Sequence, residues 1–217
     1  SDSSAKTQTP FVVASDEMHR RVSDRGPWCY ALSDLPVAVE IINTRVSEIL
    51  AAAGLGFDPT GIPPARLEYA QLRGTALHRA IQYHHEGVLD EATLHPDIRP
   101  GFEAYQRFLK DTGHEPLVSE LELVHPSYGF IGHPDRVGWL NGKRVLLDWK
   151  YTDSFQFWPV AFQLAAYRIL WNSNYPEQIV TGTFALQFSP STGKYTLRVV
   201  EAEKYEQDFL GALLVWR

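Results

Sequence analysis

FIGHPDRVGWLNGKRVLLDWK, residues 130–150, reads as a hairpin with chemistry at its open end. Asn141-Gly142 is a preferred pair for a two-residue type I′ turn, because both central residues must take positive φ. Counting outward from that turn sets Asp135 opposite Asp148 and His133 opposite Lys150, and strand alternation puts all four on one face of the sheet. Directly opposed β-carbons lie roughly 4.5–5.5 Å apart. Two bare carboxylates so placed repel by a few kcal/mol at an effective dielectric of about 20. A hard divalent cation taking one oxygen from each reverses that cost. The ribbon therefore reads as half of a metal site with a lysine beside it.

The rest of the chain supplies a scaffold for this ribbon. Residues 44–53 have helical spacing, with Thr44 placed to cap, and a Pro/Gly loop follows at 56–66. Residues 65–86 read as helical with a break near Gly74, after which Thr75 can cap and His78, Gln82 and His85 share a face. Residues 101–112 form an amphipathic helix with Phe102, Tyr105, Phe108 and Leu109 inward. Residues 116–125 read as one strand carrying Glu120 and Glu122, turned back through Pro126-Ser127-Tyr128-Gly129 into an antiparallel meander. A helix over 157–172, a hairpin of 179–188 with 194–200, and a closing helix at 203–216 complete the chain. Residues 1–43 read as a polar tail with a small sheet extension at 10–14 and 28–32, and 44–217 as the one domain.

Several residues have two readings on pattern alone. His78 is a metal ligand or a packing histidine. Glu120 is a third acidic ligand, direct or through water, or a solvent-facing charge. The aromatic cluster at Phe155, Phe157 and Trp158 stacks on unpaired bases or wedges its loop onto the core.

The motifs together resemble the PD-(D/E)XK nuclease superfamily. Pro134-Asp135 followed one hairpin later by Asp148-Trp149-Lys150 matches its signature. Gly74-Thr75-Ala76-Leu77-His78, and Gln163 with Tyr167 on the helix after the lysine, are similar to the RecB-like exonuclease branch, which includes the mitochondrial genome maintenance exonucleases. Five elements in order, over about residues 44–170, make this specific where Asp-x-Lys alone would not be. The resemblance implies an α/β fold, a restriction-endonuclease-like core with a central mixed sheet flanked by helices. It implies a metal-dependent DNA exonuclease, with a structure- or sequence-specific endonuclease, or a non-catalytic nucleic-acid-binding subunit, as alternatives on the same core. Mg2+ or Mn2+ would be held by His78, Asp135, Asp148 and the Trp149 carbonyl, with Glu120 as a further candidate. The catalytic set would be Asp135, Asp148, Lys150, Gln163 and Tyr167. Arg73, Arg79, Arg136 and Arg168 would meet the DNA backbone, and the partner would be single-stranded DNA or DNA ends. Recombination, repair or phage DNA processing in a bacterial cytoplasm is the setting the same resemblance implies.

Composition narrows the alternatives. The chain has 217 residues, 44% of them hydrophobic, enough for a well-buried domain. No apolar run approaches the length of a membrane span, and no secretory pattern is visible at the first residues. The single Cys29 fits a reducing compartment and rules out a four-cysteine iron–sulfur cluster, which some RecB relatives carry. The net charge of −6 runs against a partner bound by charge alone, so a nuclease of this composition needs a local basic stripe.

Overall fold

The computed structural model describes residues 44–216. The expected N-terminal tail, the sheet extension at 10–14 and 28–32, and Cys29 lie outside the described residues. A five-stranded sheet runs in the order β1-β4-β5-β6-β7, formed by β1 (Glu115–Ser119), β4 (Arg136–Leu140), β5 (Lys143–Tyr151), β6 (Gly182–Phe188) and β7 (Tyr195–Val199). β5 and β6 are parallel and the other neighbours antiparallel, so the sheet is mixed, as the α/β reading expected. The short β2 (Leu123–Val124) and β3 (Ile131–Gly132) pair separately. Among the described residues no helix is long and apolar enough to cross a membrane.

β5, KRVLLDWKY, is almost continuously buried because helices cover both faces of the sheet. Its alternation sorts the two layers. Val145, Leu147, Trp149 and Tyr151 pack with α2 (Pro64–His85) and α3 (Arg99–Thr112), chiefly against Leu77, Ile81, Phe102, Tyr105 and Phe108. Leu146 faces the other layer, built from α1 (Val46–Ala52), α4 (Phe157–Asn174) and α5 (Glu206–Trp216). Asp148 and Lys150 share the Leu146 parity, which turns them toward α4 and the residues that follow the lysine in sequence.

α4 makes the crossover between the parallel strands β5 and β6, and its run of buried residues from Val160 to Trp171 is apolar on most sides. Gly132 lets β3 press onto it: a Cβ there would stand 2.6 Å from Leu170 and 2.8 Å from the Tyr167 ring.

The hairpin turn is as expected. Leu140 pairs with Lys143 and the register continues to Arg136 with Leu147, with Asn141 at φ 51° and Gly142 at φ 73°. The ladder stops there, one pair short of the expected Asp135–Asp148 pairing. Three other expectations change. α2 runs through Gly74 without a break, because glycine keeps its backbone donor and only raises the cost of the helix; Thr75 is therefore no cap. The single strand expected at 116–125 divides at Glu120, whose φ of 49° is left-handed, so β2 leaves the main sheet. At α1 the cap is Arg45, whose N–H donates to Glu48 Oε2 (3.0 Å). Thr44 instead accepts from the Trp216 indole (3.2 Å).

Candidate metal centre

The end of β5 and the start of β4 bring together residues far apart in the chain. Asp135 sits in the bend before β4, and its Oδ2 accepts the Trp149 backbone N–H at 2.6 Å. This bond fixes the carboxylate and leaves Oδ1 facing α2, 3.4 Å from His78 Nδ1. Glu120 arrives from the end of β1, held by its own N–H donating to the Asp135 carbonyl at 3.2 Å. Its Oε1 lies 3.3 Å from the same His78 nitrogen. One ligand atom from each of His78, Glu120 and Asp135 thus falls within 4.8 Å of the others.

That donor set, one imidazole and two carboxylates, suits a hard or borderline divalent ion such as Mg2+ or Mn2+. Its electrostatics show what the set lacks by itself. Burial would push the His78 imidazole down, but the Asp135 and Glu120 carboxylates overrule it and raise it to about 10. Burial likewise works to raise Asp135, and the His78 charge with its hydrogen bond, aided by Lys150, brings it below the usual carboxylate range. The two carboxylates thus favour positive charge between them, which is what a bound cation would supply.

Asp148 lies beside this group, not in it. Its carboxylate is fully buried and Oδ2 is 2.5 Å from Lys150 Nζ, while Oδ1 is buried with no hydrogen-bond partner among the described residues. Burial, with Asp135 adding to it, lifts Asp148 to about 6 against the pull of Lys150. For Lys150 burial works downward, and the Asp148 and Asp135 charges more than reverse it. An unpartnered buried oxygen is costly, and its presence next to the trio fits a fourth oxygen donor for a cation.

From Lys150 a chain of contacts runs up α4. Nζ donates to Gln163 Oε1 at 3.1 Å, and Gln163 Nε2 donates to the Tyr167 hydroxyl at 2.9 Å. Burial keeps the Tyr167 phenol protonated. Gln163 and Tyr167 are one turn apart on α4, so their spacing lets the tyrosine hold the glutamine that meets the lysine.

Two of the trio, His78 and Glu120, line a cleft of about 1010 Å3 between α1, α2, the loop 53–63, the end of β5 and the start of α4, with Asp135 buried behind them. Arg73, Arg79 and Lys150 line it, against Glu120 as the lining carboxylate among the described residues. Lys150 is already paired with Asp148, so Arg73 and Arg79 are the cations that this wall has to set against the chain's net charge of −6. Arg73 is braced with its guanidinium 4.8 Å from the Tyr151 ring and 5.6 Å from that of Tyr69. Across one end of the cleft Asp58 and Gln156 clasp the two flanking loops. The Asp58 N–H donates to Gln156 Oε1 (3.2 Å) and Gln156 Nε2 donates to the Asp58 carbonyl (3.1 Å).

Three sequence expectations are corrected, and the aromatic cluster, which had two readings, divides. His133 is not opposite Lys150, because the ladder ends before it; its Nε2 pairs with Glu122 Oε2 at 2.9 Å. Arg136 is 0% exposed and lies 5.6 Å over the Trp149 ring, so it is not placed to meet a DNA backbone. Arg168 is paired with Glu206 and does not line the cleft. Phe155 does line the cleft, but Trp158, 60% exposed, clusters with Phe157, Phe162 and Tyr205 outside it. Two features had no clear signal in the sequence: the left-handed turn at Glu120, a residue type that rarely adopts it, and the Asp58–Gln156 clasp, which joins loops 98 residues apart.

No protein-family model matches this sequence, and no curated protein matches it. Among solved structures the chain is similar to a protein from Eubacterium rectale described as a candidate exonuclease, at 13% identity and a TM-score of 0.46 over 65% of this chain. It spans 63% of the length of that protein. It is also similar to the alkaline exonuclease of Laribacter hongkongensis, at 15% identity and a TM-score of 0.38, over 80% of this chain and 89% of that one. The same exonuclease in complex with dAMP gives 15% identity and a TM-score of 0.31.

Proposed function

We propose that this chain is a nuclease that hydrolyses DNA phosphodiester bonds with the help of Mg2+ or Mn2+. The observation that carries the reading is the convergence of His78, Glu120 and Asp135 at a cleft walled by Arg73 and Arg79, with Asp148 and Lys150 alongside. When bound, such an ion lowers the pKa of a water and polarises a phosphoryl oxygen. His78, Glu120 and Asp135 would hold it, and Asp148 Oδ1 is the next donor. The other tasks belong to the chain itself. Lys150, kept charged by Asp148 and Asp135, supplies a fixed positive charge where the phosphorus gains negative charge. Gln163 fixes the lysine amine and Tyr167 fixes Gln163, so the charge is oriented before substrate arrives. Arg73 and Arg79 line the wall on which phosphates of the same strand can rest.

The resemblance to RecB-like exonucleases favours attack from strand ends over attack at internal sites, and recombination, repair or phage DNA processing as the setting. The test uses 5′- and 3′-labelled single- and double-stranded DNA, linear and circular, with Mg2+, Mn2+ or EDTA. Linear DNA should be digested only with metal and circular DNA spared; equal cutting of circles would make the chain an endonuclease. Asp148→Ala should abolish cleavage and weaken metal binding together. Lys150→Ala should still bind metal while cleaving about 10²–10³-fold more slowly, the usual loss of one preorganised stabiliser. Cleavage that persists in EDTA after metal stripping, or a Lys150→Ala variant as fast as wild type, would overturn the reading.

A further inference from the structure

Gly74 lies in the interior of α2, lines the cleft, and precedes the ligand His78 by about one turn. Glycine is the costliest residue but proline in a helix interior, and at Gly74 that cost falls where the helix walls the cleft. Other glycines are required by packing: a Cβ on Gly101, in the first turn of α3, would come within 2.7 Å of the Tyr151 ring, and one on Gly132, in β3, within 2.6 Å of Leu170. At Gly74 a Cβ meets no described atom within 4 Å, and no left-handed φ requires glycine. The space that a side chain would fill belongs to the cleft.

We propose that the bare backbone of α2 at Gly74 is the surface against which a single strand of nucleic acid lies, its sugar–phosphate chain closer to the helix than any side chain would permit. This rests on the nuclease reading above and adds where the strand runs. Close approach of a ligand to backbone is a recognised use of glycine. The neighbouring lining residues suit a sugar–phosphate partner: Gln71 and Thr75 offer neutral hydrogen-bonding groups, Arg79 a cation, and Arg73 a guanidinium already braced by Tyr69 and Tyr151. Four residues of helix separate Gly74 from His78, about 6 Å along the axis. The nucleotide on Gly74 is then the neighbour of the one at the metal centre, and the strand follows α2 toward its N-terminal end.

The test compares Gly74→Ala and Gly74→Leu with Gly211→Ala. Gly211 is a second helix-interior glycine, in α5, where a Cβ also meets nothing within 4 Å, and it does not line the cleft. Both alanine variants should raise the thermal midpoint by about 2–4 °C, the expected gain from helix propensity in a chain of this size. KM for a single-stranded oligonucleotide should rise about tenfold in Gly74→Ala, on the scale of a pocket altered by one carbon. It should rise further in Gly74→Leu and not at all in Gly211→Ala. The Kd for Mn2+ without DNA should be the same in all four proteins. Wild-type KM in both Gly74 variants would overturn the inference while leaving the nuclease reading intact. A wild type that turns over no DNA with any metal sinks the nuclease reading instead. Fluorescence anisotropy of a labelled oligonucleotide then decides alone: equal affinity of wild type and Gly74→Leu overturns the contact, and a tenfold or larger loss supports it.

Discussion

Asn141 and Glu120 are the two non-glycine residues, among those described, that hold a left-handed backbone, at φ 51° and 49°. At Asn141 the sequence provides for it: asparagine tolerates this region, glycine follows, and the turn does nothing but reverse the strand. At Glu120 nothing local favours the conformation, which costs a residue with a β-carbon roughly 1–2 kcal/mol. What it achieves is an end to β1 that swings one carboxylate onto His78 and gives the Glu120 N–H to the Asp135 carbonyl. The same backbone state is therefore a folding device at one place and a cost borne for a site at the other. Such strain tends to gather at functional sites.

The comparison breaks most decisively at Glu120. Glu120→Gly removes both the strain and the proposed ligand, so stability and metal affinity should move in opposite senses. The thermal midpoint should hold or rise slightly, since the relief of strain is partly offset by the looser unfolded chain of a glycine. Metal affinity should fall by more than the roughly 10–100-fold that follows loss of an outer-shell partner, and DNA cleavage by about 10²–10³-fold. Glu120→Gln keeps the strain and loses the charge, so it should lose metal without gaining stability. Calorimetric metal titration and thermal unfolding of both variants check this. A Glu120→Gly protein that binds metal as well as wild type would remove Glu120 from the centre.

This contrast also marks what could be read in the sequence. The hairpin was legible because Asn-Gly is a local instruction, and the fold because β5 and α4 carry their burial in composition. His78, Asp135, Lys150, Gln163 and Tyr167 were legible as a motif, and the structure puts His78 against Asp135 and links Lys150 through Gln163 to Tyr167. Asp148 and His133 were not placed correctly by extending the ladder, because whether a strand continues for one more pair depends on tertiary partners. Asp135 exchanges that pair for the Trp149 N–H, and His133 for Glu122. Arg136 was misread for a similar reason. A basic residue next to a site looks like a phosphate contact until strand parity turns it into the opposite layer, against Tyr105 and Trp149.

A smaller effect, on the hairpin side, is set by pH. His114, just before β1, is 5% exposed, lies with its ring tilted 5.6 Å from that of Phe108, and among the described residues has no hydrogen-bond partner in good geometry on either ring nitrogen. It presses on the hairpin strand β4, where a Cβ on Gly138 would be 2.5 Å from its ring. Burial, with the Arg136 charge adding to it, pushes this imidazole down to about 4. A histidine depressed in this way favours folding while neutral. Its contribution is whole above the unfolded value of about 6.5 and is lost as pH falls toward 4, an upper limit of about 3 kcal/mol. Urea midpoints at pH 7.5 and pH 4.5 should therefore differ more in wild type than in His114→Phe, which cannot take the proton. Equal acid sensitivity of the two proteins would show that His114 is not the group responsible.

The smallest expected effect is at Asn141, and it completes the comparison because here the strain has no function to protect. Asn141→Ala puts a residue without asparagine's tolerance at φ 51°, and should destabilise the chain by about 1 kcal/mol, a fall of about 2–4 °C in thermal midpoint. Asn141→Gly should change the midpoint by less, since glycine accepts the turn but loosens the unfolded chain. In neither variant should the metal Kd move. The turn and the centre lie at opposite ends of β4, and the register between them is pinned by five residue pairs from Leu140–Lys143 to Arg136–Leu147. Thermal unfolding and metal titration on the same samples read both quantities. If Asn141→Ala weakens metal binding while the protein remains folded, the turn is setting the position of Asp135. The division between a folding device and a strained site would then be wrong.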